Sequence, residues 1–372
     1  MSVELAYLMK LTRNLSRACS RLRRFKNGKL SLQARNLLRI SGKHQMTFCP
    51  IMMQLMTFYH EDVIRSKLIR DIPTLFKDIY DELVPAIDDS IPAVVEGWVK
   101  VPIVPTLQQV ICRISNRIFV GAPLCRNRDY QALNMKFAIN VMKFSMIIRI
   151  VVMRIISNLP SQVQQNMEFL RPLFEERIAK MGDLNQGGWD DRPNDMLMWL
   201  MSEAKGIEQS LEGVARRMFA VNFASIHTTS LTLTQVFYRL LANPQYIEPL
   251  RREVEAAVEE EGWTKAGLDK MYKIDSFLRE TQRVDGLGLT GMDRHVLRPF
   301  TFSNGVTVPA GTVVMASING IHTDADTYSN PEFDGFRFAR LRESDEVGTA
   351  SKHQAGIASS VYLPFGYGRY VW

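Results

Sequence analysis

Four short stretches hold residue types that can do chemistry together. In Ala224-Ser225-Ile226-His227-Thr228-Thr229-Ser230, a histidine stands beside a run of hydroxyls. The run falls inside a helical pattern over 210–242, where such residues lower helix propensity. Hydroxyls there bond back to i−4 carbonyls and can bend or open a turn. That would make room for a ligand and supply a proton-relay alcohol; a structural threonine cluster is the competing reading. Glu280 and Arg283 share one helix face at i,i+3 spacing. Phe277, Leu278 and Val284 flank them, as if the pair were partly buried. A buried pair needs further donors to offset desolvation, and a later arginine could complete a bidentate network. Arg337 is the candidate, in Asn330-Pro331-Glu332-Phe333-Asp334-Gly335-Phe336-Arg337-Phe338. An aromatic loop capping the core is the plainer alternative. Phe365-Gly366-Tyr367-Gly368-Arg369 is a glycine-rich loop. A phosphate-cradling loop has a strand before it and a helix after it; here Trp372 follows almost at once, and the nucleotide reading fails.

The elements that must position these residues are mostly helical. Ser210 is a plausible N-cap for the 210–242 helix, with Glu212 in its first turn and Asn243-Pro244 as its stop. Helices are expected over about 245–260 and 274–284. Residues 296–317 read as short strands joined by Asn304-Gly305 and Pro309-Ala310-Gly311 turns. Residues 330–372 show no sustained period and read as irregular. The fold class is mainly α with a small β portion.

Composition narrows the classes. With 46% apolar and 23% charged residues in 372, this is an ordinary packed chain, neither disordered nor polytopic in a membrane. Net charge is +7, but residues 1–60 hold eleven basic residues and one acid, +10, so the remaining 312 carry 7 − 10 = −3. The basicity belongs to one end, and no motif supports nucleic-acid binding. That basic segment, 1–43, fits a transit peptide, an anionic membrane surface or a solvated tail. The apolar runs 46–59 and 141–157 are too short, or too broken by Lys143, Arg149 and Arg154, to span a bilayer. The second suits peripheral membrane contact, an apolar pocket or a core helix. None of Cys19, Cys49, Cys112 and Cys125 forms a C-x-x-C pair, and no zinc pattern is completed. An intracellular, reducing setting is expected.

The order and spacing of the four stretches closely resemble the haem-thiolate monooxygenases of the cytochrome P-450 superfamily, in its fungal branch. Residues 98–102, 112–127 and 203–206 look like that branch's midsection, and the resemblance covers roughly 59–372. It implies the cytochrome P-450 fold, haem b, an NADPH-dependent reductase as partner and O₂-dependent oxidation of an apolar small molecule. It implies the surface of the endoplasmic reticulum, although no anchor helix is evident. By the same resemblance, Thr228 relays protons to iron-bound dioxygen, with His227 in a position usually held by an acid and Thr229 beside it. A histidine titrating near neutrality could still relay protons. Glu280, Arg283 and Arg337 form the structural pair and its third member. Phe365, Gly366, Gly368 and Arg369 belong to the haem loop. Arg294, and with it Arg70, would meet haem propionates. Gly286–Met292 and the 141–157 run line the substrate pocket, where Leu287, Leu289 and methionines suit an apolar guest.

Two departures accompany the resemblance. Counting along F-G-x-G-R-x-x-C puts the cysteine slot on Trp372, whose indole offers iron no lone pair. No metal ligand is therefore assigned, and without thiolate there is no electron push to cleave O–O. Residues 1–58 form an atypical basic leader that matches nothing in the family. The domain over 59–372 is expected to be incomplete at both ends, truncated at the haem-binding loop and inactive. The alternative is a non-catalytic relic or truncated gene model that binds haem weakly or not at all.

Overall fold

A computed structural model describes residues 59–91, 99–142, 159–182, 189–344 and 350–368. The expected leader over 1–58, the apolar 141–157 run beyond Met142, and Arg369 and Trp372 lie outside the described residues. What is described is mainly helical, with two small antiparallel ribbons, as the sequence implies. It divides between Leu231 and Thr232 into two compact units. Among the described residues, no helix is long and apolar enough to cross a membrane.

In the first unit, α1 (Tyr59–Val63), a π turn (Ile64–Leu68) and α2 (Ile69–Ser90) follow without a break. Leu75, Phe76, Ile79, Leu83, Ala86 and Ile87 are all buried. Their three- and four-residue steps lay one apolar stripe along the helix. α3 (Ile103–Phe119) answers with Leu107, Val110, Ile111, Ile114 and Ile118, and the two helices pack together. Each such side chain stabilises by about 1.5–3 kcal/mol when fully buried. α4 (Arg128–Met142) and α5 (Leu159–Gly182) meet through Leu133, Phe137 and Val163. α6 (Met196–Glu203) is apolar and almost wholly buried. Asp195 caps it, accepting from the Met198 amide at 2.8 Å while both carboxylate oxygens take Arg177 at 2.6 Å.

α7 (Leu211–Ala242) passes from the first unit into the second. Ser210 Oγ accepts from the Gly213 amide at 3.1 Å, so the expected cap is in place. Asn243-Pro244 ends the helix, as the missing proline N–H and the ring clash require.

The second unit continues with α8 (Ile247–Glu261), α9 (Lys265–Asp269) and α10 (Tyr272–Val284). α10 is buried at every position from Ile274 to Arg283, although it carries Asp275, Arg279, Glu280 and Arg283. A polar helix in a core is stable only with its charges partnered. β1 (Thr290–His295) pairs antiparallel with β4 (Val313–Ser317), and β2 (Phe300–Thr301) with β3 (Thr307–Val308). The Asn304-Gly305 turn serves the second ribbon. Gly305 takes φ 85°, a left-handed conformation open to glycine at no steric cost. The strand region begins earlier than the expected 296, at Thr290, because pairing with Val313–Ser317 draws 290–295 into the ladder. α11 (Ile318–His322) follows.

The irregular reading of 330–372 needs one correction. α12 (Arg337–Glu343) forms there. Phe338 and Ala339 are buried, and Arg342 Nη1 donates to Asp275 Oδ2 at 3.0 Å. Partners 67 residues away hold a helix too short to show a period.

Candidate functional site

The hydroxyl-rich run lies in α7, which stays continuous through it. Thr228 Oγ1 donates to the Ala224 carbonyl at 2.5 Å, the back-bond expected of a mid-helix threonine, without opening a turn. His227 is 3% exposed, and its Nε2 has no hydrogen-bond partner among the described residues. Burial lowers its pKa below the ordinary histidine value. The imidazole is thus neutral at pH 7, below the near-neutral titration the relay idea assumed. Its ring is tilted beside Phe223, with centroids 6.1 Å apart. Thr229 is half-buried. Two contacts that sequence reasoning missed tie this stretch of α7 to α3. Ser115 and Ser225 hydroxyls are 2.8 Å apart, and Asn116 Nδ2 donates to Asn222 Oδ1 at 3.0 Å. Nothing in the sequence pairs residues over a hundred positions apart.

In the second unit, α10 presents Glu280 and Arg283 on one face, both fully buried. Arg283 Nε and Nη2 donate to the two Glu280 oxygens at 2.8 and 2.7 Å. Arg283 also donates to the carbonyls of His322 (2.5 Å), Pro331 (2.9 Å) and Glu332 (3.1 Å). Arg337 Nε reaches Glu280 Oε1 at 3.1 Å, and the Asp334 amide donates to the same oxygen at 3.0 Å. Phe333 and Phe336 pack edge-on against Tyr246, and Phe333 also against Phe277, which docks the segment that delivers Arg337. The structure therefore brings Glu280, Arg283 and Arg337 together.

The segment leading into the glycine loop is gripped by the same helix. Tyr362 hydroxyl donates to Gln282 Oε1 at 2.8 Å, and Arg279 stacks on the Tyr362 ring, 3.8 Å from its centroid. Arg279 Nη1 also donates to the carbonyls of Gln354 and, at 2.9 Å, Ile357. His322, which no sequence motif singles out, ties the two parts. Its Nδ1 lies 3.1 Å from the Arg283 carbonyl, and its Nε2 accepts from the Leu363 amide at 2.8 Å. These partners fix the Nδ1–H tautomer, because Nε2 must accept. Burial lowers the His322 pKa to about 4. Both partners are backbone atoms, so no residue pattern could have exposed this role.

Gly366 and Gly368 each take φ 81°. A Cβ on Gly366 would sit 3.9 Å from Met292 Cγ, which projects from the β1 bulge. Met292 itself has φ 56°, a strained value for a side-chain-bearing residue. A small crevice lies between α10 and this loop, lined by Gln282, Asp285, Leu287 and Phe365 among others. Leu287 and Leu289 are nevertheless 47% and 72% exposed. Arg294 lies in β1, half-buried, and donates to the Asp293 carbonyl at 2.8 Å. Arg70 is exposed and bonds Asp71 at 2.9 Å.

The donors present do not fit the thiolate-ligated iron that the resemblance implies. Cys112 and Cys125 are buried, and burial pushes their thiols up to about 12 and about 11, so both stay protonated. Cys19 and Cys49 lie outside the described residues. Among the described residues no three His, Cys, Asp or Glu side chains converge as a metal site, and position 372 carries indole.

Comparison with known proteins matches residues 52–370 to the family model described as Cytochrome P-450. The chain is 36% identical over 321 residues to cytochrome P-450 monooxygenase 151 of Postia placenta, covering 84% of this chain and 64% of that one. It is 32% identical over 313 residues to an ent-kaurene oxidase of Gibberella intermedia, covering 83% and 59%. The chain thus spans less than two thirds of these relatives' length. Among solved structures, a zebra fish cytochrome P-450 with abiraterone aligns with TM-score 0.59 at 17% identity, over 84% of this chain and 67% of that one. A retinoic acid-bound cyanobacterial relative aligns with TM-score 0.56 at 19% identity, over 83% and 65%.

Proposed function

The chain belongs to the cytochrome P-450 family, and from that premise we propose that it is a monooxygenase-type polypeptide without a functional iron ligand. The family implies haem, a redox-partner reductase and a small-molecule substrate. The ancestral reaction we assign is NADPH- and O₂-dependent oxidation of an apolar molecule in fungal secondary metabolism. Bound with a thiolate ligand, haem would supply oxygen activation. In this chain the thiolate position is Trp372. That single residue carries the reading, because an indole donates an N–H and offers no lone pair.

The packing residues of the site have roles that do not depend on the iron. Glu280, Arg283 and Arg337 hold the 330–337 segment against α10, supported by their shared bonds. His322 and Gln282 hold the approach to the glycine loop. Thr228 is assigned the alcohol of the relay, and its proton is committed to the Ala224 carbonyl at rest. His227, kept neutral by burial, is assigned as its neighbour with an uncommitted ring nitrogen. Arg294 and Arg369 are assigned to the haem side of the loop. The 141–157 run is assigned to the substrate pocket or to peripheral contact with the membrane of the endoplasmic reticulum.

The test is spectroscopic. The full chain, mixed with equimolar haemin, reduced and exposed to carbon monoxide, is expected to show no thiolate-type Soret band. Appearance of that band would refute the proposal.

A further inference from the structure

Outside the residues that the family reading uses, the first unit holds an arginine-lined cavity. Glu82, on the buried face of α2 and 1% exposed, holds two of its arginines. Glu82 Oε1 accepts from Arg113 Nε at 2.5 Å. Its two oxygens also accept from Arg126 Nε, at 3.0 and 3.1 Å, and Oε2 accepts from Nη2 at 2.8 Å. Burial pushes this carboxyl up, and the bonds from Arg126 and Arg113 outweigh it, leaving its pKa lowered. Arg113 Nη1 also donates to Asp89 Oδ2 at 2.6 Å. Two carboxylates thus fix two guanidiniums in place.

A third guanidinium, Arg128, opens α4 and forms no ion pair among the described residues. Arg113, Arg126 and Arg128 line one cavity of about 150 Å³ with Asp89, Gln109 and Gln131. The balance is three cations against Glu82 and Asp89, 3 − 2 = +1. Donors remain too. Arg113 Nη2, Arg126 Nη1 and the whole Arg128 fork have no acceptor among the described residues. Guanidinium forks with spare N–H groups match the geometry of a phosphate or carboxylate. The N-terminus of the fifteen-residue α4 adds a favourable potential beside Arg128. A volume of about 150 Å³ leaves room for one tetrahedral oxyanion.

We infer that this cavity binds a phosphomonoester group, held by Arg113, Arg126 and Arg128. The inference is independent of haem and of the monooxygenase reading. The group can be free phosphate, a small phosphorylated metabolite or a lipid headgroup, since the recognising chemistry is the same.

The experiment titrates the full chain with inorganic phosphate by calorimetry, against sodium chloride at matched ionic strength. Saturable binding to phosphate alone is expected. Arg128→Gln, which removes an exposed fork, should weaken binding about tenfold, the loss typical of one charge-assisted pair. Gln109→Glu, which adds a carboxylate to the rim, should abolish it. Melting temperatures of both variants in chloride check that each is folded. A second arm uses phosphatidylcholine vesicles with and without phosphatidic acid. Capture by phosphatidic acid that Arg128→Gln removes assigns a lipid source; phosphate binding without capture assigns a soluble one. Absence of saturable phosphate binding, or binding that either variant leaves unchanged, overturns the inference.

Discussion

The buried pair on α10 makes an asymmetric prediction. Glu280→Gln keeps the side-chain shape and removes the negative charge. Arg283 then still has three backbone carbonyls as acceptors, and Arg337 still has those of Asn330 and Glu332. Breaking a buried pair costs about 3–5 kcal/mol, and those carbonyl dipoles put this variant at the lower end, about 3. Arg283→Met breaks the same pair and also strips the carbonyls of His322 and Pro331 of the arginine's N–H groups. The Glu332 carbonyl keeps Arg337. Each orphaned carbonyl adds about 1–3 kcal/mol, so the total is about 5–11 kcal/mol. Domain stabilities are about 5–15 kcal/mol, so this variant stands at the edge of unfolding. Urea unfolding followed by far-ultraviolet circular dichroism measures both. Glu280→Gln should fold with a lowered midpoint, and Arg283→Met should unfold far earlier or fail to fold. Equal midpoints, or a larger loss for Glu280→Gln, would refute the reasoning.

Three other outcomes follow from single residues. Burial raises the Glu253 pKa to about 7, against the backbone bonds from Lys273 and Ile274. The folded state therefore holds a proton that the unfolded state has released, and stability contributed by this group falls as pH rises from about 4.5 to about 7. Glu253→Gln should remove that slope, on the order of 3 kcal/mol, in pH-dependent urea midpoints; parallel curves for the two proteins would contradict it. His322 has the opposite sign, since its folded pKa is lowered to about 4. Its contribution is complete above about 6.5 and is lost as pH falls toward 4. His322→Ala should cost about 2–6 kcal/mol at pH 7, from two unpaired backbone groups, and less at pH 4.5, as measured by thermal unfolding. Ser210→Ala, which deletes the α7 cap, should cost about 1 kcal/mol in the same assay, and an unchanged midpoint would show that the cap contributes nothing.

How much of this was legible depends on how local the cause is. The 210–242 helix was readable to within a residue, because Ser210 and Asn243-Pro244 mark its ends from inside the sequence. α10 was readable as a helix, and its Glu280–Arg283 pair as partly buried, from the apolar residues around it. α12 was not, because its support is Arg342 on Asp275, far away in the chain. His322 was invisible for a different reason: it serves two main-chain atoms, which have no residue identity to read. The arginine cavity needs Glu82, Arg113 and Arg126 from three separate segments. His227 was expected to titrate near neutrality, and only packing shows that burial lowers its pKa and leaves Nε2 without a partner among the described residues.

We propose that the indole at position 372 denies the iron its thiolate. It is tested most directly by reduced carbon monoxide spectra of the chain and of its Trp372→Cys variant, each mixed with equimolar haemin. The account predicts no thiolate-type Soret band from the chain and a clear one from the variant. A thiolate-type band from the unaltered chain would contradict it.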